Sequence, residues 1–264
     1  MINIKSNYTN ITQYNFQELR TKNIHQSTHQ NGPLVSVITV VCNGCKYITQ
    51  AIKSVHEQSY NNIEHIIIDG GSTDGTIEIL NKHDHIIDYW ISEPDEGIYD
   101  AMNKGIKCAK GDWLLFLGAD DILLDSVHKF VHEIKDKSSV YYGDVIYQSN
   151  SRIYDGKFNI LKLIRRNIPH QGTFFPKSIF KDNLYDTTFN LLADYAFNLR
   201  MYSKTNYVYL PIVFAKFNDK GMSSKTVDYA FREKLHSIIK DNYHYSIYLI
   251  FSIAWWATSF LRRK

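Results

Sequence analysis

Short apolar runs alternate with amphipathic stretches from Pro33 to about residue 205. Five runs are apolar enough to be strands, namely residues 35–41, 63–68, 89–91, 113–117 and 140–147. Helical spacing of apolar positions predicts helices over residues 48–55, 76–82, 98–109 and 122–134, and another after residue 193. Strands that alternate with helices are typical of βαβ units, so the pattern predicts an α/β fold with a mainly parallel sheet flanked by helices.

The two ends of the chain differ from this central part. Residues 1–32 are rich in Asn, Gln, Thr and His without a sustained period, which predicts a polar N-terminal arm. Residues 33–225 would then form the α/β domain, and residues 226–264 would form a helical C-terminal tail. Within that tail, residues 245–261 carry no charge, and three basic residues close the chain.

The uncharged part of the tail has two interpretations. As a helix it would be about 26 Å long, slightly short of the ~30 Å hydrocarbon core of a bilayer. A span would also place the basic end outside the cytoplasm, against the positive-inside tendency. The segment could instead lie in the plane of a membrane surface, with its aromatic residues in the interface and its basic end on anionic headgroups. Alternatively, it is a helix packed on the domain or on a second subunit.

Composition narrows the class of protein. The chain has 264 residues and a net charge of +3, too small for the concentrated basic face of a nucleic-acid binder, so no nucleic-acid partner is expected. Three cysteines (Cys42, Cys45 and Cys108) and no secretory leader argue against a disulfide framework and for a cytoplasmic location. No second pair completes a zinc site with the C-x-x-C, so we interpret its spacing as chance.

Polar clusters follow three of the predicted strands directly, at residues 42–44, 69–75 and 118–121. Ligands of open α/β sheets bind beyond the carboxyl ends of the strands, so these clusters predict a binding crevice. Asp69 could accept a hydrogen bond from a nucleotide base or ribose, and the glycines after it would allow close backbone approach. Alternatively, Asp69 or Asp74 caps the next helix. A dinucleotide site is excluded, because G-x-G-x-x-G does not follow the first strand.

Asp120 and Asp121 are adjacent carboxylates at a predicted strand end. Their mutual repulsion makes such a pair costly without a cation, and oxygen ligands suit Mg²⁺ or Mn²⁺ together with phosphate oxygens. The alternative is that Asp121 is the N-cap of a helix over residues 122–134, with Asp120 remaining as the ligand.

Three further polar segments stand out from their surroundings. Residues 92–105 combine an acidic turn with the start of a helix, residues 167–175 contain His170 and Gln171, and Asp194 precedes a helical pattern. Each also has a structural interpretation: a capped surface helix, a packed or surface histidine, and a simple N-cap, respectively.

Taken in order, these segments resemble the family 2 glycosyltransferases with the GT-A fold, a Rossmann-like arrangement. The matching motifs are V-S-V-I-T-V-V-x-N, I-I-D-G-G-S-T-D-G-T, E-x-D-x-G-I-Y-D-A-M-N-K-G, G-D-W-L-L-F-L-G-A-D-D, H-Q-G-T-F-F and A-D-Y. They cover about residues 33–205, and ordered motifs rarely coincide by chance. The chain is similar in particular to bacterial enzymes that build O-antigen or capsule repeat units on a polyprenyl diphosphate lipid.

The resemblance implies a donor site and a metal. Residues matching the family's donor-binding motifs are Thr39, Asn43, Asp69, Asn103, Lys104 and Asp120. Asp69 would contact the nucleotide base, and Asp120, with Asp121 beside it, would hold Mg²⁺ or Mn²⁺. The first aspartate of the family's D-x-D is Gly118 here, so only Asp120 matches the metal-ligand position closely.

The resemblance also implies an acceptor side. His170 and Gln171 match an acceptor-side motif, and Asp194 matches the catalytic base, with Ala193 in place of the family's preceding Glu. The implied enzyme is an inverting, metal-dependent hexosyltransferase. It would move Glc, Gal or GlcNAc from a UDP-sugar to a sugar hydroxyl of a lipid-linked oligosaccharide, at the cytoplasmic face of the inner membrane.

Two functions of other classes compete with this one. A sugar-nucleotidyltransferase would need a Gly-rich, basic loop after the first strand to hold triphosphate, and the sequence offers only Lys46 there. A non-catalytic module that binds a glycan or a lipid surface would share the fold without turnover. Metal-dependent hydrolysis of a UDP-sugar would separate an enzyme from such a module.

Overall fold

The computed structural model describes residues 32–154, 156–221 and 228–261. The predicted N-terminal arm lies outside the described residues except for Gly32, and so do the three basic residues at the end of the chain. The strands of the described part are β1 (Val35–Val41), β2 (Ile63–Asp69), β3 (Tyr89–Ser92), β4 (Trp113–Gly118), β5 (Ile122–Leu123), β6 (Val140–Tyr147), β7 (Ile153–Tyr154), β8 (Thr173–Pro176) and β9 (Tyr207–Phe217). The α-helices are α1 (Ile48–His56), α2 (Thr76–Lys82), α3 (Ile98–Cys108), α4 (Val127–Glu133), α5 (Ile160–Leu163), α6 (Ala193–Met201), α7 (Tyr229–Asn242) and α8 (Tyr245–Leu261).

The strands form one sheet in the order β3-β2-β1-β4-β8-β6-β9-β5, with β7 beside β6. β1 pairs in parallel with β2 and β4, and β3 pairs in parallel with β2. β8 runs antiparallel to both β4 and β6, whereas β6 and β9 form a second long parallel ladder. The predicted α/β fold with a mainly parallel sheet flanked by helices is confirmed.

Alternate side chains of the central strands enter two different apolar layers, because successive residues of a strand point to opposite faces. Ile38 of β1 and Phe116 of β4 pack in the layer covered by α3, α6 and α7. Val37 and Leu115, one position earlier, pack in the layer that contains Phe130 of α4. Both faces of the parallel strands are therefore covered, which explains their continuous apolar runs.

Two parts of the predicted pattern were wrong. The predicted helix over residues 122–134 begins with strand β5, and α4 starts only at Val127 with Ser126 as its N-cap residue. The tertiary partner decides this, because Leu123 pairs with Ala215 of β9. Strands β8 and β9 were also not predicted; they complete the sheet beyond β4.

The helices at the end of the chain pack against the α3–α6 side of the sheet. Phe231, Leu235 and Ile239 of α7 are buried in that apolar layer. In α8, Phe251 and Trp255 contact the imidazole of His236 on α7; their ring centroids lie 4.7 Å and 5.3 Å, respectively, from that of the imidazole. No helix within the described ranges is long and apolar enough to cross a membrane.

Gly105 marks the closest approach of α3 to the sheet. A Cβ atom at this position would collide with the buried side chain of Ile38. We predict that Gly105→Val lowers the free energy of unfolding by about 2 kcal/mol or more, because overpacking a filled core forces shifts of backbone and side chains. Urea denaturation measures the change. Lys107→Ala, on the exposed side of the same helix, is the control and should change stability by less than about 0.5 kcal/mol.

Candidate active site

The carboxyl ends of three parallel strands meet at one edge of the sheet. The β1–β2 ladder runs to the pair Val41 and Asp69, and the β1–β4 ladder runs to the pair Val40 and Gly118. The loops after β1, β2 and β4 therefore lie side by side, as predicted from their polar clusters. The candidate site lies at this edge.

Asp69 holds the loop that follows β2. Its carboxylate is completely buried. Oδ2 accepts hydrogen bonds from the backbone N–H groups of Gly71 and Ser72 at 3.1 and 2.9 Å and from the Ser92 hydroxyl at 2.6 Å, and Oδ1 accepts one from the Ser72 hydroxyl. The helix-cap alternative was wrong for Asp69, because these donors all lie outside α2. Its contact with a nucleotide base stays a prediction; the hydrogen bonds of its carboxylate are all to groups of the protein.

Thr39 and Asn103 were predicted to contact the donor; that role stays a prediction, and both side chains are hydrogen-bonded within the protein. Thr39 is completely buried and its hydroxyl hydrogen-bonds with Nε2 of His65 at 3.0 Å. Asn103 is buried too, and its amide group donates to the carbonyl of Tyr185 and accepts from its backbone N–H. Their positions on β1 and α3 point both side chains into the protein, where neighbouring polar groups form their hydrogen bonds.

Asn43 and Lys104 shape loops at the edge of the crevice. Asn43 is exposed, has a left-handed backbone (φ 55°), and its Oδ1 accepts from the N–H of Thr73 at 2.9 Å. The Lys104 ammonium lies 2.9 Å from Glu93 and 3.3 Å from Asp100 and donates to the carbonyl of Pro94. Lys104 therefore fastens the loop between β3 and α3.

Asp95 lies on that same loop, and sequence reasoning did not single it out. Its carboxylate stands directly over Gly70, so that a Cβ atom at Gly70 would collide with Oδ2. Oδ1 accepts from the N–H of Gly97 at 2.9 Å. Two carboxylates, those of Asp69 and Asp95, thus lie at the end of β2. The E-x-D part of the 93–105 motif was the available signal.

Asp121 joins three separate parts of the chain. Its buried Oδ2 accepts from the N–H of Gly118 at 2.9 Å and from Nε2 of Gln171 at 3.0 Å, and Oδ1 accepts from the N–H of Asn218 at 2.9 Å. Burial first, and then the charge of Asp120, raise the pKa of this carboxyl group. Both carboxylate oxygens are thus bonded to donors within the protein, and the role of Asp121 as a metal ligand stays a prediction. The N-cap prediction was wrong, because α4 begins only at Val127.

Asp120 differs from its neighbour. It is half-buried, and its Oδ2 accepts from Nδ2 of Asn218 at 2.8 Å, whereas Oδ1 accepts no hydrogen bond from the part of the chain that the structure describes. No group of three or more His, Cys, Asp or Glu side chains in that part could hold a metal. Asp120 therefore fits a cation that takes one carboxylate from the protein and its other ligands from phosphate and water.

Gly118 stands where the resemblance places the first aspartate of D-x-D, and a side chain there would be crowded. A Cβ atom at Gly118 would lie 2.6 Å from Oδ2 of Asp121 and 3.1 Å from Oδ1 of Asp120. The buried Asp121 carboxylate occupies the space that a side chain at position 118 would need.

A second cluster surrounds Asp194 in the first turn of α6. Asp194 is buried, and its Oδ2 accepts from Nδ2 of Asn167 at 2.8 Å and lies 3.2 Å from Nδ1 of His170. Its Oδ1 lies 2.8 Å from the hydroxyl of Tyr99. Burial and the charge of Asp194 raise the pKa of Tyr99 well above its usual value, so the phenol stays protonated. The structure assigns the N-cap position of α6 to Leu192, so the simple N-cap interpretation of Asp194 was wrong.

His170 and Gln171 connect the two clusters. They belong to one short 3-10 helix, His170–Gly172, in which Gln171 contacts Asp121 and His170 contacts Asp194. Burial lowers the pKa of His170, but the hydrogen bond and charge of Asp194, together with the charges of Asp121 and Asp120, outweigh burial and raise it. The imidazole therefore lies within the electrostatic reach of both clusters.

Sequence reasoning missed three partners of these carboxylates: Tyr99, Asn167 and Asn218. Tyr99 and Asn167 lie in the polar segments 92–105 and 167–175, so their polar side chains could have marked them as site residues. Asn218 follows the unpredicted strand β9 and could not be placed without it.

Comparison with known proteins agrees with this architecture. The family described as Glycosyl transferase family 2 matches residues 36–206. A PGL/p-HBAD biosynthesis glycosyltransferase of Mycobacterium bovis is 35% identical over 218 residues, covering 77% of this chain and 84% of its own.

Solved structures with the same fold are more distant in sequence. S. aureus TarS 1–349 in complex with UDP-GlcNAc has a TM-score of 0.67 at 19% identity, covering 78% of this chain and 65% of that one. The mannosyltransferase PcManGT from Pyrobaculum calidifontis, in complex with GDP-Man and Mn²⁺, has a TM-score of 0.56 at 16% identity. The match covers 75% of this chain and 61% of PcManGT. The chain thus spans less than two thirds of the length of these structures.

The hydrogen bonds of Asp121 predict a large effect on stability. Asp121→Ala removes the acceptor of three donors from the loops after β4 and β9 and before β8. Each buried donor left without a partner costs about 1–3 kcal/mol, so we expect a loss of at least about 3 kcal/mol in the free energy of unfolding, measured in urea. The control is Asp182→Ala, an exposed aspartate without a hydrogen bond or ion pair among the described residues. Equal stability of the two variants would show that Asp121 does not join these loops.

Proposed function

Because the chain belongs to glycosyl transferase family 2, we propose that it transfers a hexose such as Glc or Gal, or GlcNAc, from a UDP-sugar to a hydroxyl group. The proposed acceptor is a sugar of a polyprenyl-diphosphate-linked oligosaccharide, as in O-antigen or capsule synthesis. The observation that carries the proposal is the pairing of two acidic clusters at one sheet edge. One contains the open carboxylate of Asp120 and the other the shielded carboxylate of Asp194.

The donor part of the proposal rests on Asp120 and on the fold neighbours. TarS forms a complex with UDP-GlcNAc, whereas PcManGT forms one with GDP-Man, so a nucleotide diphosphate sugar is the shared chemistry. We favour UDP, in keeping with the higher TM-score of TarS. The acceptor part rests only on the resemblance to O-antigen and capsule enzymes. The relative with 35% identity is named for PGL/p-HBAD biosynthesis, and that name does not point to a polyprenyl-diphosphate acceptor.

A divalent cation fits the donor side of the site. Asp120, with one carboxylate oxygen that accepts no hydrogen bond from the described residues, would hold Mg²⁺ or Mn²⁺ together with diphosphate oxygens and water. When bound, such a cation stabilises the negative charge that develops on the leaving diphosphate.

The residues of the chain supply positioning and proton transfer. Asn218 orients the Asp120 carboxylate by donating from its amide, and its backbone N–H binds the neighbouring Asp121. Asp194 lies in the first turn of α6, where its carboxylate accepts from the Asn167 amide and from the Tyr99 hydroxyl. We assign the proton of the acceptor hydroxyl to this acidic cluster. A single displacement then inverts the configuration at C1.

The outer face of α8 supports binding to a membrane surface. The inner face of the helix packs on α7 through Phe251 and Trp255, as the packing alternative predicted. The outer face carries no charge and exposes five large apolar side chains, each between 46% and 70% accessible: Tyr245, Leu249, Ile250, Ile253 and Trp256. Such a face would place the enzyme peripherally on the cytoplasmic side of the inner membrane, close to a lipid-linked acceptor.

The test of the donor and metal assignment is hydrolysis and transfer with a panel of UDP-sugars in the presence of Mg²⁺ or Mn²⁺. We expect Asp120→Asn to lower turnover by at least about 100-fold, as is typical when charge stabilisation at the leaving group is lost. The control Asp182→Asn should keep full activity. Unchanged turnover in excess EDTA would refute the cation, and absence of any turnover with every sugar nucleotide would favour a non-catalytic binding module.

The test of membrane binding uses one charge on each of two helices. Ile253→Glu places a carboxylate on the exposed face of α8, whereas Ser237→Glu adds the same charge to the polar side of α7. In co-sedimentation with vesicles containing anionic phospholipid, we expect the first variant to lose most of its binding and the second to keep it. Equal binding of both would contradict the proposal. A change of oligomeric state in Ile253→Glu alone would assign the face to a second copy of the chain.

A further inference from the structure

A cavity of about 770 Å³ opens at the edge of the sheet opposite to the candidate active site. Trp113, the first residue of β4, lines it together with Pro176, its pairing partner at the end of β8. Gly118, where the donor side begins, ends the same strand five residues later, which is about 17 Å at the usual rise of a strand. The cavity is therefore separate from the crevice that contains Asp120.

The buried part of the cavity lining is apolar. Ile106 of α3, Trp113 and Phe180 line the cavity and are each at most 5% exposed, and Leu184, which is 42% exposed, adds a further apolar side chain. A volume of this size is typical of pockets that bind a small organic molecule, and such pockets are mostly apolar with a few polar groups that orient the ligand. The lining therefore suits a ligand with an apolar part.

The exposed part of the lining is basic. It contains one aspartate and five lysines from four segments of the chain: Lys107 on α3, Lys110 before β4, Lys137 before β6, and Lys177 and Lys181 after β8. Five lysines and one aspartate give the cavity a formal charge of +4, although the whole chain carries only +3. The excess positive charge of the protein is thus concentrated around one cavity.

Most of these charges have no partner within the protein. The ammonium group of Lys177 donates to the carbonyl of Ala109 at 2.6 Å, whereas the other four make no hydrogen bond or ion pair with any described residue. The aspartate, Asp112, accepts from the backbone N–H of Leu34 at 3.0 Å. Lysines that lie close together repel one another, and an anion that accepts from several of them offsets that repulsion.

The charge of the chain itself argues against its N-terminal part as the occupant. Residues 1–31 carry three basic side chains and one acidic one, so the lysines would repel them, although Pro33, close to them in the chain, lines the cavity. A phosphate group, in contrast, offers several acceptor oxygens and up to two negative charges. It therefore matches a set of four unpaired ammonium groups better than a single carboxylate does.

We propose that this lysine-lined cavity is a second binding site, which takes a phosphorylated amphiphile: a molecule that carries a phosphate group beside an apolar chain or ring. The lysines bind the phosphate, and Trp113 and Phe180 contact the apolar part. A membrane lipid and a soluble phosphorylated compound share this chemistry. The inference does not depend on the proposed sugar transfer, because binding at this cavity requires no turnover.

Calorimetry with geranyl monophosphate tests the site, and inorganic phosphate and geraniol test the two halves of this probe. We expect one molecule of the probe to bind the wild-type chain. Each half should bind at least about 10-fold more weakly, because it keeps only the ionic or only the apolar contacts. The affinity for the probe should also fall as the ionic strength rises.

Two double variants remove the same number of charges at different places. Lys110→Gln with Lys181→Gln should lower the affinity for geranyl monophosphate at least about 10-fold. The matched control is Lys53→Gln with Lys129→Gln, two exposed lysines of α1 and α4 that do not line the cavity. Its affinity should stay within about twofold of the wild-type value, because distant exposed charges are screened.

Three results would overturn the proposal. They are a wild-type chain that does not bind the probe, equal affinities in the two double variants, and displacement of the probe by UDP, which would place it in the donor crevice. None of them bears on whether the chain transfers a sugar, which the turnover assay decides.

Vesicles distinguish the two sources of the phosphate. Co-sedimentation with phosphatidylglycerol vesicles compares the wild-type chain with the two double variants. A loss of binding with the Lys110 and Lys181 substitutions, but not with the control pair, assigns the site to a lipid headgroup. Equal sedimentation of all three, with the probe still bound by the wild-type chain and lost from the cavity variant, assigns it to a soluble phosphorylated compound.

Discussion

The site depends on one constraint: the buried carboxylate of Asp121 must be satisfied by hydrogen-bond donors. In a region that excludes water, an unpaired carboxylate would be very costly, so the three segments that supply those donors are drawn together. They are the end of β4, the 3-10 helix that carries Gln171, and the residue after β9. Because Asp120 is the sequence neighbour of Asp121 and His170 that of Gln171, the same bonds also place Asp120 and the imidazole beside Asp194.

The four aspartates of the site divide its work between them. Asp69 and Asp121 have both carboxylate oxygens bonded to loop donors, so they organise backbone. Asp120 keeps one oxygen without such a bond to the described residues, and Asp194 faces the ring of His170. The steric exclusion of a side chain at Gly118 follows from the first group, because the oxygen of Asp121 fills that space. The glycine at position 118 thus leaves room for the hydrogen bond from its own N–H to Asp121 that holds this loop.

Several features could be predicted from the sequence with no tertiary information. The parallel strands β1, β2 and β4 are buried on both faces, so their continuous apolar runs were visible, and the polar residues after them had to share one edge. Asp120 was found because it follows such a run, whereas His170 was found in a polar segment and Asp194 ahead of a helical pattern. β8 and β9 were missed because their partners in the sheet are distant in sequence, and with them Asn218 was missed too. The first residues of the predicted helix over residues 122–134 were assigned wrongly for the same reason, since pairing with β9 overrides their local pattern.

The sequence by itself determined the α/β class, the order of most elements, the edge of the sheet that holds the polar loops and, through ordered motifs, the family. Only the tertiary structure decided which of the candidate side chains are accessible. Thr39, Asp69, Asn103 and Asp121 are polar residues in the right motifs, but their side chains are buried and bonded within the protein. The physical reason is that motif position fixes where a residue stands along the backbone. Whether its polar atoms meet a ligand depends on donors and acceptors that other segments bring to it, and a single sequence does not specify those contacts.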